Sequence, residues 1–209
     1  MNIHTLYRPF LRYFRLRRMR EFHQRFRITA ETRILDVGGF AFNWSLLPVR
    51  PRLTFLNLDV PGAAEQGSNW IVGDGRLAPF RDRAFEIVFS NSVIEHLGSL
   101  ESQQMFAREI SRVGRSYYVQ TPNRWFPAEP HLITPLVHFL PKRWQKRLLR
   151  NFTVWGLATR ASEQECETFL NEVQLLDCQK MKLLFPEAEI RRERFLGLTK
   201  SLVAIRAFE

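Results

Sequence analysis

From Arg33 onward the apolar positions fall into short runs closed by glycine, proline or an acid. Arg33-Ile-Leu-Asp36 leads into Gly38-Gly39. Leu53–Leu58 reads LTFLNL, Trp70–Val72 stops at Gly73-Asp-Gly75, Ala84–Ser90 reads AFEIVFS, and Tyr117–Gln120 reads YYVQ before Thr121-Pro122. Runs this short and this continuous predict strands buried on both faces. Between them lie stretches with helical spacing. Residues 100–113 put Met105, Phe106, Ile110 and Val113 on one face, with Ser99 placed to cap the start. Strand–helix alternation predicts an α/β fold: a doubly wound, Rossmann-like and mostly parallel sheet. Asp177 can cap a short helix ended by Pro186 after Phe185. Ala188–Phe195 and Leu202–Arg206, joined by Leu196–Lys200, predict an antiparallel C-terminal hairpin that brings the sheet to seven strands.

Two segments break this rhythm. In residues 1–30, Ile3, Tyr7, Phe10 and Phe14 recur at three- and four-residue spacing, as do Phe22 and Phe26. Arg8, Arg12, Arg15, Arg17, Arg18, Arg20, Arg25 and Arg27 fill the gaps. This predicts a basic amphipathic helix preceding a domain of residues 31–209. Pro9 fits a first turn, which sets the helix start near Arg8. Such a helix can pack its aromatic face on the domain, cover an active site, or lie on a membrane surface. The second segment, about 121–176, is rich in Pro, Trp and Phe and strongly basic at Lys142–Arg150. It reads as a cap inserted into the domain.

Charge narrows the partners. The 209 residues hold 31 Lys plus Arg against 21 Asp plus Glu, a formal net charge of +10. This excess favours anionic partners such as nucleic acid, an anionic membrane surface or an acidic substrate. The longest apolar stretch, around Leu132–Leu140, contains Pro135 and His138 and is far shorter than the roughly 20 residues a spanning helix needs. Cys166 and Cys178 match no zinc or redox spacing. With no secretion signal, two thiols suggest a reducing, cytoplasmic setting, with peripheral membrane association left open.

In a doubly wound sheet, ligands bind beyond the carboxyl ends of the strands. The residues placed there suit one ligand. Gly38 and Gly39 follow Asp36 and allow close backbone approach. Asn57 and Asp59 end the second strand, and Asp59 lies where an acid holds ribose hydroxyls in nucleotide-binding sheets. Asp74, between Gly73 and Gly75, can accept from an adenine amino group. Ser90 and Asn91 end the fourth strand at the centre of the sheet. No G-x-G-x-x-G or G-x-x-x-x-G-K-[ST] phosphate cradle is present, which argues against a dinucleotide or nucleoside triphosphate.

Three segments, Ile34-Leu-Asp-Val-Gly-Gly39, Gly73-Asp-Gly-Arg-Leu-Ala-Pro-Phe80 and Ala84-Phe-Glu-Ile-Val-Phe-Ser-Asn-Ser-Val-Ile-Glu-His-Leu97, carry a resemblance. Over roughly residues 34–120 the chain resembles the class I S-adenosylmethionine-dependent methyltransferases of the ubiquinone- and sterol-methyltransferase-like (type 11) group. The resemblance implies S-adenosylmethionine as cofactor. Asp36, Gly38 and Gly39 would line its amino-acid end, Asp59 or Asn57 its ribose, Asp74 and Gly75 its adenine, and Asn91 the sulfonium region. One departure stands out. The family pattern D-x-G-x-G-x-G is Asp36-Val-Gly-Gly-Phe-Ala-Phe42 here, so Phe40 and Phe42 occupy glycine positions. Pro48 also forces the following helix to be short. Either the loop follows another path or the cofactor site is altered.

Methyl transfer from a sulfonium is an in-line displacement in which positioning does much of the work and a general base often assists. By position, His96, Gln120, Asn123, Glu129 and His131 qualify, with His131 beside Glu129 preferred and His96 second. The apolar and basic halves of the cap, with the N-terminal helix, favour a small-molecule or lipid-like acceptor and contact with an anionic membrane surface. A nucleic-acid acceptor is the competing reading, since basic residues alternate with aromatics. However, Ser90-Asn-Ser-Val93 stands where amino-directed nucleic-acid methyltransferases carry an N-P-P-Y-like tetrad. A third reading is a methyltransferase-fold scaffold that catalyses nothing.

Overall fold

Seven strands make one sheet. In the computed structural model, residues 3–60, 62, 69–129, 134–153, 156 and 162–207 are described. Strands β1 (Arg33–Val37), β2 (Arg52–Asn57), β3 (Trp70–Val72), β4 (Phe85–Asn91) and β5 (Gly114–Pro122) are parallel. The hairpin β8 (Glu189–Phe195) and β9 (Leu198–Arg206) adds antiparallel to β5, giving the order β3-β2-β1-β4-β5-β9-β8. The order reverses between β1 and β4. At that point neighbouring crossovers run to opposite faces and leave a crevice at the strand ends.

Period-two alternation divides the core between the two faces. Leu35, Val37 and Val88 point to one side, where helix α3 (Leu100–Val113) buries Phe106, Ile110 and Val113 against them. The predicted Ser99 cap is in place, its Oγ accepting from the Ser102 amide at 3.1 Å. Ile34, Ile87, Phe89 and Tyr118 point to the other side. There they meet helix α1 (Ile3–Phe26) and the four-residue helix α2 (Ala41–Trp44). Phe22, fully buried, contacts the rings of Phe26, Trp44, Phe89 and Tyr118 edge-on or tilted, at centroid distances of 5.0–6.0 Å.

Helix α1 runs through Pro9 rather than starting near it. Pro9 sits in the second turn, where it leaves the Thr5 carbonyl without its usual N–H donor. The burial of Phe14, Met19, Phe22 and Phe26 farther along holds the helix in place. Arg12, Arg17, Arg20, Arg25 and Arg27 are exposed, whereas Arg18 is buried on the aromatic face.

Two further strands differ from expectation. The turn joining β8 and β9 is only Leu196-Gly197, both at positive φ (+49° and +81°) as a tight hairpin turn of matching twist requires. Lys200 therefore lies within β9, not in a loop. Strand β5 also extends through Pro122, because pairing of Pro122 with Ser201 of β9 continues past the predicted stop.

Between β5 and the hairpin lie a two-stranded ribbon, β6 (Ala128–Glu129) with β7 (Thr134–Pro135), and helices α4 (Lys142–Phe152) and α5 (Glu163–Glu172). Val137, Leu149 and Cys166 form their small core. Helix α6 (Cys178–Leu184) follows, its start capped by Asp177 accepting from the Lys180 amide at 2.9 Å. Among the described residues no helix is long and apolar enough to cross a membrane.

Candidate active site

The crevice between β1 and β4 opens into a cleft of about 380 Å³. Its floor is Gly38 and Gly39 after β1, Asn91 and Ser92 at the end of β4, and Gln120 and Pro122 at the end of β5. Phe40, Phe42 and Asn43 form one wall. Lys200 and Ser201 of β9 form the far end, and α1 roofs the cleft with Phe14, Arg15 and Arg18.

The glycine pair is set by close approach. Gly38 has φ +75°, and a Cβ there would lie 2.4 Å from Val93 Cγ2. A Cβ on Gly39 would lie within 2.2 Å of the Asp36 carboxylate. Asn57 braces the pair, its Nδ2 donating to the Gly39 carbonyl at 3.0 Å. Asp36 is fully buried behind them. The Trp44 indole N–H donates to its Oδ2 at 2.7 Å, while Oδ1 has no partner among the described residues. Burial pushes the Asp36 carboxyl up to about 7, against the pull of the Trp44 hydrogen bond.

The other sequence candidates scatter. Asp59 is exposed just beyond β2, its backbone carbonyl accepting from Trp70 Nε1 at 3.0 Å. Asp74 follows β3, but Arg76 clamps it: the Arg76 amide, Nε and a terminal nitrogen all donate to its carboxylate at 2.6–3.1 Å. These hydrogen bonds hold Asp74 below its ordinary range. Gly75 is a packing glycine, since a Cβ there would lie 2.8–2.9 Å from Val37 and Phe106. His96 is exposed on a short 3-10 turn and does not line the cleft. His131 and the Glu129 side chain lie outside the described residues. Gln120 lines the cleft and its Oε1 accepts from Ser92 Oγ at 3.0 Å, while Asn123 is buried and donates to the Thr199 carbonyl at 2.8 Å.

Sequence reading missed two groups. Arg18 reaches Glu193 of β8 with paired hydrogen bonds (Nε to Oε1 at 2.7 Å, a terminal nitrogen to Oε2 at 2.5 Å) and also donates to Asn91 Oδ1. Its partners lie 175 and 73 residues away, so no local spacing signals them. Lys200 has its Nζ 4.0 Å from the Phe14 ring centroid, and burial and the neighbouring Arg18 lower it to about 8.

The site fits S-adenosylmethionine at several points. The glycine pair, the Asp36 oxygen behind it that has no partner among the described residues, and Asn91 would face its amino-acid end. Asp59 makes no side-chain hydrogen bond among the described residues and stands at the β2 end, where a ribose would lie. Leu58 and Val60 just beyond β2 and Leu77 beyond β3 are exposed apolar side chains. Asp74 fits less well, because its oxygens already serve Arg76.

Residues 53–116 match the family model described as a methyltransferase domain. The fold is similar to a SAM-dependent methyltransferase from Methanosarcina mazei, with TM-score 0.51 at 12% identity over 90% of this chain and 97% of that one. It is also similar to Haemonchus contortus phosphoethanolamine N-methyltransferase 2, whose structure is a complex with S-adenosyl-L-methionine. That match has TM-score 0.53 at 11% identity over 82% of this chain and 37% of that one. No curated protein sequence matches.

Proposed function

We propose that this chain, whose fold is that of the class I methyltransferases, is an S-adenosylmethionine-dependent methyltransferase acting on a small-molecule or lipid-like acceptor. The observation that carries this reading is the cleft at the β1–β4 reversal, floored by a glycine pair that admits no side chain and backed by a buried carboxylate. When bound, the cofactor supplies an activated methyl group. The chain's own part is to place and enclose the reactants. Gly38 and Gly39 allow the cofactor's amino-acid end to approach the backbone, and Asn91 fixes its position at the end of β4. Phe14, Phe40 and Phe42 displace water from the cleft, which shortens the approach between acceptor and donor.

Calorimetry with S-adenosylhomocysteine tests the reading. The wild-type chain should bind, and Asp59→Ala should weaken binding about tenfold, as expected for losing a charge-assisted hydrogen bond. Asp59 is exposed, so this substitution leaves the fold intact. A folded wild-type chain that fails to bind would support the second reading, a methyltransferase-fold scaffold. The clamp of Arg76 on Asp74 and the phenylalanines at two glycine positions favour that reading.

The cap supports a membrane-facing acceptor. Trp125 stacks with Phe139 at 6.1 Å, Arg124 lies over the Trp125 ring, and Leu140 and Lys142 line the same hollow. Exposed aromatic and aliphatic groups ringed by cations suit an anionic bilayer. Co-sedimentation should be stronger with phosphatidylserine vesicles than with phosphatidylcholine vesicles and should fall for Trp125→Ala. Equal binding to both would remove the membrane from the proposal.

A further inference from the structure

Among the described residues, three cations, Arg15, Arg18 and Lys200, line the cleft, and no carboxylate does. Glu193, paired with Arg18, offsets part of this charge, and Glu21 acts on Arg18 in the same sense. Holding three positive groups together away from bulk water is costly. Arg15 shows it: burial and its neighbour Arg18 both push its guanidinium below the ordinary range. Arg18 is held by its ion pair with Glu193, whereas the ring contacts of Arg15 and Lys200 do not themselves call for a charge. Arg15 rests on Phe42 and Lys200 on Phe14, rings that would pack as well against an aliphatic side chain.

Their position across the sheet points to a role. On the methyltransferase reading, the ribose and adenine ends of the cofactor would lie on the β2–β3 side of the reversal in the order β3-β2-β1-β4-β5-β9. Lys200 on β9 lies three strands from β1 in the opposite direction, about 14 Å at ordinary strand spacing. That is the acceptor's half of the cleft.

We infer that Lys200, with Arg15 and Arg18 beside it, forms a subsite for a compact oxyanion, a carboxylate or phosphate, borne by the methyl acceptor. The inference rests on the methyltransferase reading for the word acceptor, but the anion site is testable without the cofactor. An oxyanion between them would be stabilised by Arg15 and Lys200 and by Arg18, whose charge Glu193 already offsets in part. Phe14 and Phe42 form apolar walls for the body that carries the anion.

The experiment titrates the full chain with sulfate, phenyl phosphate and benzoate by calorimetry, in the wild type and in Lys200→Met, Lys200→Arg and Lys182→Met. Sulfate should bind to the wild type, weaken at least about tenfold in Lys200→Met, recover in Lys200→Arg and stay unchanged in Lys182→Met, a substitution at an exposed position of α6 that does not line the cleft. Whichever of phenyl phosphate and benzoate binds more tightly identifies the oxyanion. Because sulfate keeps its charge over the range, its affinity should fall about tenfold between pH 7 and 9 as Lys200 loses its proton near pH 8. Arg15, Arg18 and Glu193, the other charged groups facing Lys200, do not titrate there. S-adenosylhomocysteine affinity should change less than about threefold in Lys200→Met. A parallel loss would assign Lys200 to the cofactor's own carboxylate and overturn the inference, as would sulfate binding that ignores Lys200 or no anion binding at all. Failure of the wild type to bind S-adenosylhomocysteine while sulfate still binds would overturn the methyltransferase reading and leave the anion site standing.

Discussion

Asp36 shows how far a single buried carboxyl shapes this site. Its folded pKa of about 7 is above the ordinary 3.8, so folding favours the neutral acid. The stability this gives is full below about pH 4 and is lost as pH rises through about 7, where the charged form must be buried with one oxygen unpartnered. Asp36→Asn removes this dependence. In urea titrations the variant should gain over the wild type between pH 5 and pH 8, by on the order of a few kcal/mol at the upper end. It should also bind S-adenosylhomocysteine more weakly, since a carboxylate beneath the glycine pair suits a cationic amino-acid end. Asp36, Gly38 and Gly39 were legible in the sequence because all three fall within one strand end and its turn. The Asp74–Arg76 clamp spans only two residues in a turn and could have been anticipated. The Arg18–Glu193 and Lys200 arrangements could not, because they arise where the first helix crosses the last hairpin.

At the scale of elements, what pattern made visible was the sheet. Strands β1, β2 and β4 are short apolar runs with both faces buried, and period alone marks such runs when glycine and proline bracket them. The ends were less clear. Pro9 suggested a later start for α1 because local propensity ignores the packing of Phe14 through Phe26, which outweighs one missing hydrogen bond. Pro122 suggested an earlier end for β5 because its pairing with β9 is not local. The helix caps were legible, and they give a prediction. Ser99→Ala leaves the Ser102 amide without its side-chain acceptor and should cost about 1 kcal/mol. In a domain of this size that is a fall in Tm of about 2–4 °C. Asp177→Ala, at the start of α6, should behave alike. A scanning calorimeter resolves both, and no change in either would mean that water replaces the cap at no cost.

For the whole molecule, α1 is not an appendage. Although charge and spacing set residues 1–30 apart, Met19, Phe22 and Phe26 complete the core on one face of the sheet. A chain beginning at residue 28 should lose cooperative unfolding and bind hydrophobic dyes, because Trp44, Phe89 and Tyr118 would be uncovered. Retained cooperative unfolding would show that α1 is dispensable. The same helix roofs the cleft, and this links two properties usually kept separate. A roof that is also a piece of core cannot swing open each time a ligand enters: lifting Met19 and Phe22 into water would cost several kcal/mol. Its amides near Phe22 should therefore exchange with solvent as slowly as those of β4. Traffic into the site falls instead to the rotation of exposed rings, Phe40 and Phe42, at the open wall. Side-chain rotation is far faster than the opening of a helix, so the doorway keeps time with the rings while the roof keeps time with unfolding.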